Sequence, residues 1–312
     1  MLNFLASRAL RALFTLLLIV TAAYVVLRLT GDPAISILGL DAPAEAVAEF
    51  RKNWGLDQPI WVQYLSYLLA VVQGNLGASM LDGREASTIV IERLPATLSI
   101  TIPGFVLQLL IGIPAGLFSA LRQNTWIDRT IMAGSIIGFT IPSFVFGLLL
   151  VMLFAVRLHW LPSGGAETPL HLVLPVLSLG LFGGATLARF TRSAVVDVLD
   201  QPHVRAVTLR GLPRWRIVMF HVMPNAALPV VTVMGMMLGG LVAGAVVTES
   251  VFSWPGIGRL LITSVASRDL SVVQTILLMI GFAMVAANFL VDLTYGFLDP
   301  RLRRSQGADA KG

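Results

Sequence analysis

Six apolar segments, each long enough to cross a membrane as a helix, constrain this chain more than any other feature. Crossing about 30 Å of hydrocarbon takes roughly 20 helical residues. The segments lie near 9–30, 96–121, 130–156, 171–190, 225–251 and 272–298. Only 12% of the residues are charged, against about 25% in a typical soluble domain. We therefore predict an all-α, polytopic membrane protein that crosses the bilayer six times.

The first apolar segment resembles a signal peptide in one respect, because Arg8 and Arg11 precede an apolar run that contains Ala22 and Ala23. The run continues to Leu29, however, and the apolar core of a signal peptide usually has about 7–15 residues. We therefore predict an uncleaved span at 9–30, after a short tail at 1–8.

The distribution of basic residues predicts that both termini are cytoplasmic. Short cytoplasmic loops carry an excess of Lys and Arg, whereas long loops cross the membrane largely regardless of charge. With the N-terminus inside, 14 of the 22 basic residues are cytoplasmic. The net charge of +5 is thus a signal of topology, and it does not indicate a nucleic-acid partner. The cytoplasmic set is Arg8, Arg11, Arg122, Arg129, Arg189, Arg192, Arg205, Arg210, Arg214, Arg216, Arg301, Arg303, Arg304 and Lys311.

The first external loop, 31–95, is too long for a simple connector. It carries two patterns with helical periodicity, AEAVAEFRKNWGL and PIWVQYLSYLLAVV. Its aromatic residues suit a membrane interface, where an amphipathic ring has one apolar and one wet end. These helices either lie on the bilayer surface or form a contact surface for an external partner, and the two alternatives are compatible. The aromatic residues are Trp54, Trp61, Tyr64 and Tyr67.

The sequence does not indicate an enzyme. An ATP-binding P-loop requires Gly-Lys-Ser/Thr, and neither Lys52 nor Lys311 stands in that motif. The four histidines have no metal-ligand spacing, and cysteine is absent from the sequence. An intramembrane serine hydrolase needs a histidine at membrane depth, whereas His171, His203 and His221 fall at or beyond the span ends. We expect no catalytic residue, no metal site and no cofactor bound by this chain.

Few ionisable residues fall inside the predicted spans, where each would cost several kcal/mol if exposed to lipid. Asp292, one turn after Asn288, either lines a pathway or pairs with tail arginines such as Arg301, and we favour the pairing. Glu249 is similarly either a pathway residue or a partner of Arg259. Ion-coupled transport usually needs a relay of buried charges. We therefore expect another subunit to supply the energy.

A basic loop at 191–224 separates the fourth and fifth apolar segments. His203 to Arg210 can form a short helix that ends at Gly211, a residue suited to the left-handed C-cap. Pro213 then begins a second helix, which runs toward Pro224. We call residues 203–224 the coupling knob. It either docks on a partner or lies on anionic headgroups. The predicted apolar docking surface comprises Val204, Val207, Leu212 and Trp215.

The knob resembles the EAA loop of ABC importer permeases, which reads Glu-Ala-Ala, three residues, Gly, nine residues, then Ile-x-Leu-Pro. Here Arg205-Ala206-Val207, Gly211 and His221-Val222-Met223-Pro224 occupy those positions. Arg205 replaces the glutamate of the family, so an ion pair between that glutamate and an ATPase is not expected. The variant is similar to the peptide branch, which reads Tyr-Val-Arg-x-Ala-x-x-Lys-Gly-Leu, with His203 at the tyrosine and Arg210 at the lysine.

The resemblance to permeases of the dipeptide/oligopeptide/nickel family covers nearly the whole chain. The long first loop resembles that of the first of the two permease subunits of such importers. The matching segments, in order, are Gly31-Asp32-Pro33, Gly55-Leu56-Asp57-Gln58-Pro59, Gly74-Asn75-Leu76-Gly77, Arg93-Leu94-Pro95-Ala96-Thr97-Leu98, Ile141-Pro142-Ser143-Phe144, Leu161-Pro162, Ala188-Arg189-Phe190-Thr191-Arg192-Ser193, Glu249 through Gly258, and Leu298-Asp299-Pro300-Arg301.

This resemblance implies a type I ABC importer permease in the bacterial inner membrane, with a core domain at 96–298 and a cytoplasmic tail at 299–312. It implies a second homologous permease, two ATPases that bind ATP and Mg, and an extracytoplasmic solute-binding protein. Expected substrates are di- or oligopeptides, or alternatively nickel, a metal chelate, glutathione or an oligosaccharide. An ion-coupled secondary transporter is the other alternative. The expected ATPase-coupling residues are Arg205, Ala206, Val207, Arg210, Gly211, Leu212, His221 and Pro224.

The sequence does not identify the residues that line the pathway. Polarity alone suggests candidates inside the predicted spans, and none of them selects a substrate. These candidates are Gln108, Ser135, Thr186 and Asn288.

Overall fold

Helices make up most of the part that the structure describes, and loops connect them. The computed structural model describes residues 2–29, 31–39 and 41–298, without the side chains of 2–9, 27–29, 242–243 and 291–298. The all-α prediction is confirmed. The α-helices in these ranges, α1 to α14, are Leu2–Leu29, Pro33–Leu38, Ala44–Asn53, Ile60–Val72, Ala86–Leu121, Trp126–Thr140, Ser143–Leu150, Val173–Leu199, Pro202–Leu209, Arg214–Ile217, Met223–Gly239, Leu241–Val251, Ile257–Ala266 and Leu270–Leu298.

Four described helical segments are long and apolar enough to cross a membrane, and a bent pair of helices can supply a fifth crossing. The part of α1 with described side chains, Leu10–Val26, is apolar but shorter than these four segments. The count of six spans and the cytoplasmic position of the termini therefore stay predictions. The four segments are Ala86–Leu121, Pro169–Leu199, Arg214–Gly239 and Leu270–Leu290.

The segment predicted as one span at 130–156 is broken. Helices α6 and α7 meet at an angle of 105°. Ile141 is extended, with ψ of 124°, which is the conformation that a following proline favours. Pro142 then precedes the first turn of α7, and the helix ends in a π-helical segment, Val151–Arg157. Proline therefore converts a straight apolar segment into a bent pair.

Helices also extend beyond the predicted apolar segments. Helix α5 begins at Ala86, well before the predicted start at 96, and α8 continues to Leu199 rather than ending near 190. Hydropathy detects only the apolar part of a helix, whereas polar turns such as the one that contains Glu92 continue it beyond that part. In the predicted fifth span, Gly240 separates α11 from α12.

The chain forms two compact units, and the first comprises residues 1–97 and 255–283. Its loop at 74–85 is tied to the segment before α14 by a buried carboxylate. Asp269, 2% exposed, accepts hydrogen bonds from the Ser79 hydroxyl and from the Met80 amide at 3.2 Å. The apolar core of this unit is formed by Ala86, Val90, Ile257, Val272 and Ile276.

Helix α4 of the first unit packs on α1 through tyrosines. The Tyr24 ring lies 5.3 Å from the Tyr64 ring and 5.9 Å from the Tyr67 ring, measured between centroids. The hydroxyls of Thr21 and Tyr64 are 2.6 Å apart, and burial raises the pKa of Tyr67 to about 12. The helical periodicity predicted for α3 and α4 is confirmed. The tyrosines, however, contact protein, whereas Trp61 is 67% exposed.

The described residues of the second unit are 98–254 and 284–298. Helix α8 packs against both α11 and α6 within it. Glycines on α5 allow α8 to approach closely. A Cβ added to Gly116 would lie 2.4 Å from the Ala188 carbonyl oxygen, and one added to Gly112 would lie 2.7 Å from the Leu187 Cβ. Small residues four positions apart are the usual means by which membrane helices come into contact.

A buried ion pair links three helices of the second unit. Asp128, at the start of α6, is 4% exposed. Its two oxygens accept hydrogen bonds from Arg192 on α8 at 2.6 and 2.7 Å. The Ser119 hydroxyl near the end of α5 donates at 2.5 Å, and the Asn124 amide donates at 3.0 Å. The charge is therefore paired and hydrogen-bonded on both oxygens.

Candidate functional site

The coupling knob has a sharp corner at Gly211. Helix α9 ends at Leu209, and Gly211 follows with φ of +75°. Its amide donates to the Thr208 carbonyl at 3.0 Å. Pro213 then precedes α10. The corner predicted from Gly211 and Pro213 is therefore observed, because glycine adopts a positive φ without the penalty that other residues incur.

The second helix of the knob does not end near Pro224, contrary to the prediction. Helix α10 continues through a π-helical segment, Val218–Val222, directly into α11, which has Pro229 in its interior. Proline in a regular α-helix clashes with the carbonyl four residues earlier. The wider turn of a π-helix immediately before Pro224 changes the local hydrogen-bond register, and the helix passes the proline. The knob is therefore continuous with α11.

The inner face of the knob is anchored in the core of the second unit. Val204, Ile217 and Val222 are buried in one cluster with Val195 and Val198 of α8. These contacts fix the knob to the long helices on either side of it. Val204, predicted to be part of an apolar docking surface, is instead buried in this cluster. Val207 and Leu212 are half-buried and pack against the cluster, and their contact with a partner stays a prediction.

The outer face of the knob presents other apolar side chains. Leu209 is 89% exposed and Trp215 is 59% exposed. The Trp215 and Phe220 rings lie 6.4 Å apart. Sequence reasoning included Trp215 but missed Leu209. The sequence did contain a signal that Leu209 lies on the outer face. Val204 and Val207 are three residues apart and therefore share one helix face, whereas Leu209 does not follow that spacing.

The residues at the signature positions lie mostly on the exposed side of the knob. The Arg205 guanidinium is 3.9 Å from the Asp200 carboxylate, with both side chains more than 70% exposed, and such pairs contribute little. His221 is half-buried, and its backbone carbonyl accepts a hydrogen bond from the side-chain Nδ2 of Asn225 at 2.7 Å. The signature residues that are exposed are Arg205, Ala206, Arg210, Gly211 and Pro224.

Two of the three polar residues predicted for the pathway or for structural roles have described side chains, and they differ in burial. Glu249 is completely buried. Asn288 is exposed on α14, where its Oδ1 would lie 3.9 Å from a Cβ added to Gly239. The side chain of Asp292 and the tail arginines, Arg301 among them, lie outside the described residues, so their pairing stays a prediction.

The candidates chosen by polarity differ in their surroundings. Gln108 is 6% exposed and donates from Nε2 to the Leu179 carbonyl at 3.1 Å. The Thr186 hydroxyl bonds the Phe182 carbonyl of its own helix at 3.5 Å. Ser135 lines an apolar cleft of about 340 Å³ between α5, α6, α7 and α8, which we call the bend cleft. Other residues that line the bend cleft are Ile111, Gly138, Ile141, Phe146 and Ala185.

The residues that the structure describes contain no group of three or more His, Cys, Asp or Glu side chains arranged to hold a metal ion.

Comparison with protein families yields two matches that together cover nearly the whole sequence. The model described as binding-protein-dependent transport system inner membrane component matches residues 112–304. The model of the N-terminal part of such membrane components matches residues 1–101.

Full-length relatives are similar over the same extent. The glutathione transport system permease protein GsiC of Salmonella choleraesuis (strain SC-B67) is 39% identical over 97% of this chain and 99% of its own length. The protein of the same name from Escherichia coli (strain K12) is 38% identical over the same shares.

Solved structures of two ABC transporters have a similar fold. The chain from the inward-facing MetNI methionine ABC transporter has a TM-score of 0.58 at 19% identity, over 68% of this chain and 97% of that one. The chain from an amino acid ABC transporter crystallised with histidines has a TM-score of 0.54 at 17% identity, over 67% and 93%.

Proposed function

The chain belongs to the family of inner membrane components of binding-protein-dependent transport systems, and on this premise we propose that its coupling knob receives the movement of a cytoplasmic ATPase. The protein is the permease subunit of an ABC importer and a multi-pass protein of the bacterial inner membrane. Its partners include an ATPase and a solute-binding protein.

In the proposed assembly, this chain pairs with a second homologous permease, and two ATPase subunits hold ATP and Mg. The sequence of this chain has no P-loop lysine, so nucleotide hydrolysis takes place in the ATPases. ATP binding and the loaded binding protein bias the permease pair between inward- and outward-open states. The family assignment supports this composition, since its description couples the membrane component to a binding protein.

The packing of the knob is the observation that supports its proposed role. Transmitting a displacement requires stiffness, because a flexible loop would dissipate it before it reached the spans. Here Val204 and Ile217 fix the knob to the core around α8, and α10 is continuous with α11. The exposed Trp215 is of the residue type enriched among those that dominate binding energy at interfaces, and the exposed Leu209 beside it adds apolar area.

Aspartate at Gly211 is expected to weaken association with the ATPase at least tenfold. It places a side chain at φ of +75°, which strains the corner, and it adds a carboxylate that must be desolvated on docking. Deletion of residues 205–212 is expected to abolish association. Recovery of ATPase subunits with the tagged permease, together with ATP-driven uptake, measures both effects.

Gly83→Asp is the matched control. Gly83 has φ of +71°, and, as at Gly211, an added Cβ meets nothing within 4 Å. The two variants therefore carry the same local strain in two different loops. If Gly211→Asp inserts into the membrane and retains normal ATPase recovery and uptake, the proposed role of the knob is wrong.

We propose small peptides as the transported substrates. Support comes from the relatives at 38–39% identity, which are named glutathione transport permeases, and glutathione is itself a tripeptide. The resemblance of the knob to the peptide branch supports the same class.

The substrate class is tested with the complete importer in proteoliposomes. We expect ATP-dependent uptake of glutathione or of the dipeptide Ala-Phe, and no uptake of nickel ions or maltotriose. Uptake of nickel or maltotriose without either peptide would exclude the peptide class. Uptake by this chain alone, driven by an ion gradient without ATP, would instead support a secondary transporter.

A further inference from the structure

Arg189 on α8 has an aromatic partner rather than an acidic one. Its guanidinium carbon lies 4.4 Å from the centroid of the Phe139 ring and 5.7 Å from that of Phe190. No carboxylate of the described residues pairs with it. Arg192, three residues further along the same helix, is by contrast engaged by both oxygens of Asp128. Arg189 is therefore a positioned cation with capacity for an anion.

The position of Arg189 along the bent helix pair indicates function. Phe139 lies eleven residues after Asp128 on α6, about 16 Å at 1.5 Å per residue. It immediately precedes the bend between α6 and α7, in the middle of the helix pair that qualifies as one crossing. The contact with Phe139 brings the Arg189 guanidinium to this bend, whereas the distribution of basic residues predicted a cytoplasmic position for Arg189. A charge beside the apolar part of a helix pair is costly unless it faces protein or a water-filled cavity, and such charges usually mark a substrate or ion pathway.

The bend cleft lies beside this cation. Gly138 and Ala185 line the cleft. Gly138 directly precedes Phe139 in the sequence, and Ala185 lies one turn before Arg189 on α8. The volume of the cleft is about 340 Å³, and most of its lining is apolar. Arg189 itself is not one of the lining residues, but it directly follows Ala188, which is. An apolar cavity with a charge nearby fits a ligand that has an apolar part and an anionic end.

The bend adds a second positive feature. Helix α7 begins at Ser143 after Pro142, without a side-chain cap, so the positive end of its dipole is not neutralised by a capping group. Ile141 and Phe146, on either side of this helix start, both line the bend cleft. Broken membrane helices commonly direct their N-termini at anionic groups of a substrate.

We propose that Arg189 binds the carboxylate of the transported peptide, while an apolar part of the same peptide occupies the bend cleft. This inference rests on the proposed function. A guanidinium pairs with a carboxylate through two parallel hydrogen bonds, and the stacking on Phe139 holds the planar group in place. The permease would then contribute to selectivity in addition to the solute-binding protein.

The test uses the complete importer in proteoliposomes with saturating solute-binding protein. Two probe pairs are compared, Ala-Phe with its C-terminal amide and glutathione with its glycine amide. The binding protein is the same for every variant, so a change in the ratio of acid to amide uptake originates in the permease.

Arg189→Ala is expected to lower uptake of the acid form about ten- to hundredfold, because one charge-assisted contact is lost. The ratio of acid uptake to amide uptake should then be close to one. Arg189→Lys should be intermediate, because lysine cannot bind a carboxylate through a planar fork.

Arg122→Ala is the matched control. The Arg122 guanidinium lies 4.3 Å over the Phe118 ring, and Arg122 is exposed after the end of α5, so this variant loses the same type of contact away from the bend cleft. Its acid-to-amide ratio should equal that of the wild type. If Arg189→Ala keeps the wild-type ratio, or loses acid and amide uptake equally, the carboxylate site is wrong. If the wild-type importer takes up neither free acid, the proposed substrate class fails instead.

Discussion

Replacing Arg192 by alanine is expected to destabilise the protein by about 3–5 kcal/mol, the usual effect of removing one partner of a buried ion pair. Asp128 is 4% exposed, and Arg192 provides two of its hydrogen bonds, at 2.6 and 2.7 Å. Without the guanidinium, a carboxylate would remain buried with only the Ser119 hydroxyl and the Asn124 amide as donors. The thermal unfolding midpoint of the purified importer and the yield of folded complex measure the loss.

A double-mutant cycle separates the ion pair from general damage. In Asp128→Ala/Arg192→Ala no buried charge remains, so the double variant should be more stable than Arg192→Ala alone. Arg129→Ala changes an exposed arginine next to Asp128 and should stay within about 0.5 kcal/mol of the wild type. If the two single effects simply add in the double variant, the two residues are not coupled and the interpretation is wrong.

The fold could be predicted where the signal was local. The periodicity of α3 and α4, and the glycine and proline at Gly211 and Pro213, each determine the conformation of a few neighbouring residues. The bend at Pro142 was missed, although the proline was visible, because proline is also tolerated inside membrane helices. Pro229 lies inside α11 and illustrates that second outcome in the same chain.

The candidate sites depended more on contacts between helices, which the sequence does not display. Arg189 and Arg192 were both counted as basic residues that determine orientation, yet one stacks on Phe139 and the other pairs with Asp128. Asp128 and Arg192 are separated by 64 positions. Nothing local to either residue indicates that α6 and α8 bring them together.

Alanine at Gly116 is expected to destabilise the second unit by about 1–3 kcal/mol, the typical cost of overpacking a close contact. The added Cβ would lie 2.4 Å from the Ala188 carbonyl oxygen and 2.6 Å from the Thr191 Cβ. Neither atom can move away by a simple rotation, because one belongs to the backbone and the other is attached to it. Helices α5 and α8 would therefore have to separate, and the unfolding midpoint of the purified importer should fall.

Gly244→Ala provides the comparison, because a Cβ at this helical glycine meets nothing within 4 Å. Alanine is a better helix former than glycine by about 1 kcal/mol, so this variant should be as stable as the wild type or more stable. Propensity favours alanine equally at Gly116. The difference between the two variants therefore measures the steric effect alone, and equal stability would mean that α5 and α8 are not in close contact at this position.

Separation of these helices would also displace Ser119 from Asp128, because Ser119 follows Gly116 on the same helix and donates the hydrogen bond at 2.5 Å. We therefore expect Gly116→Ala and Ser119→Ala to be less than additive, since both disturb the same contact between α5 and its neighbours.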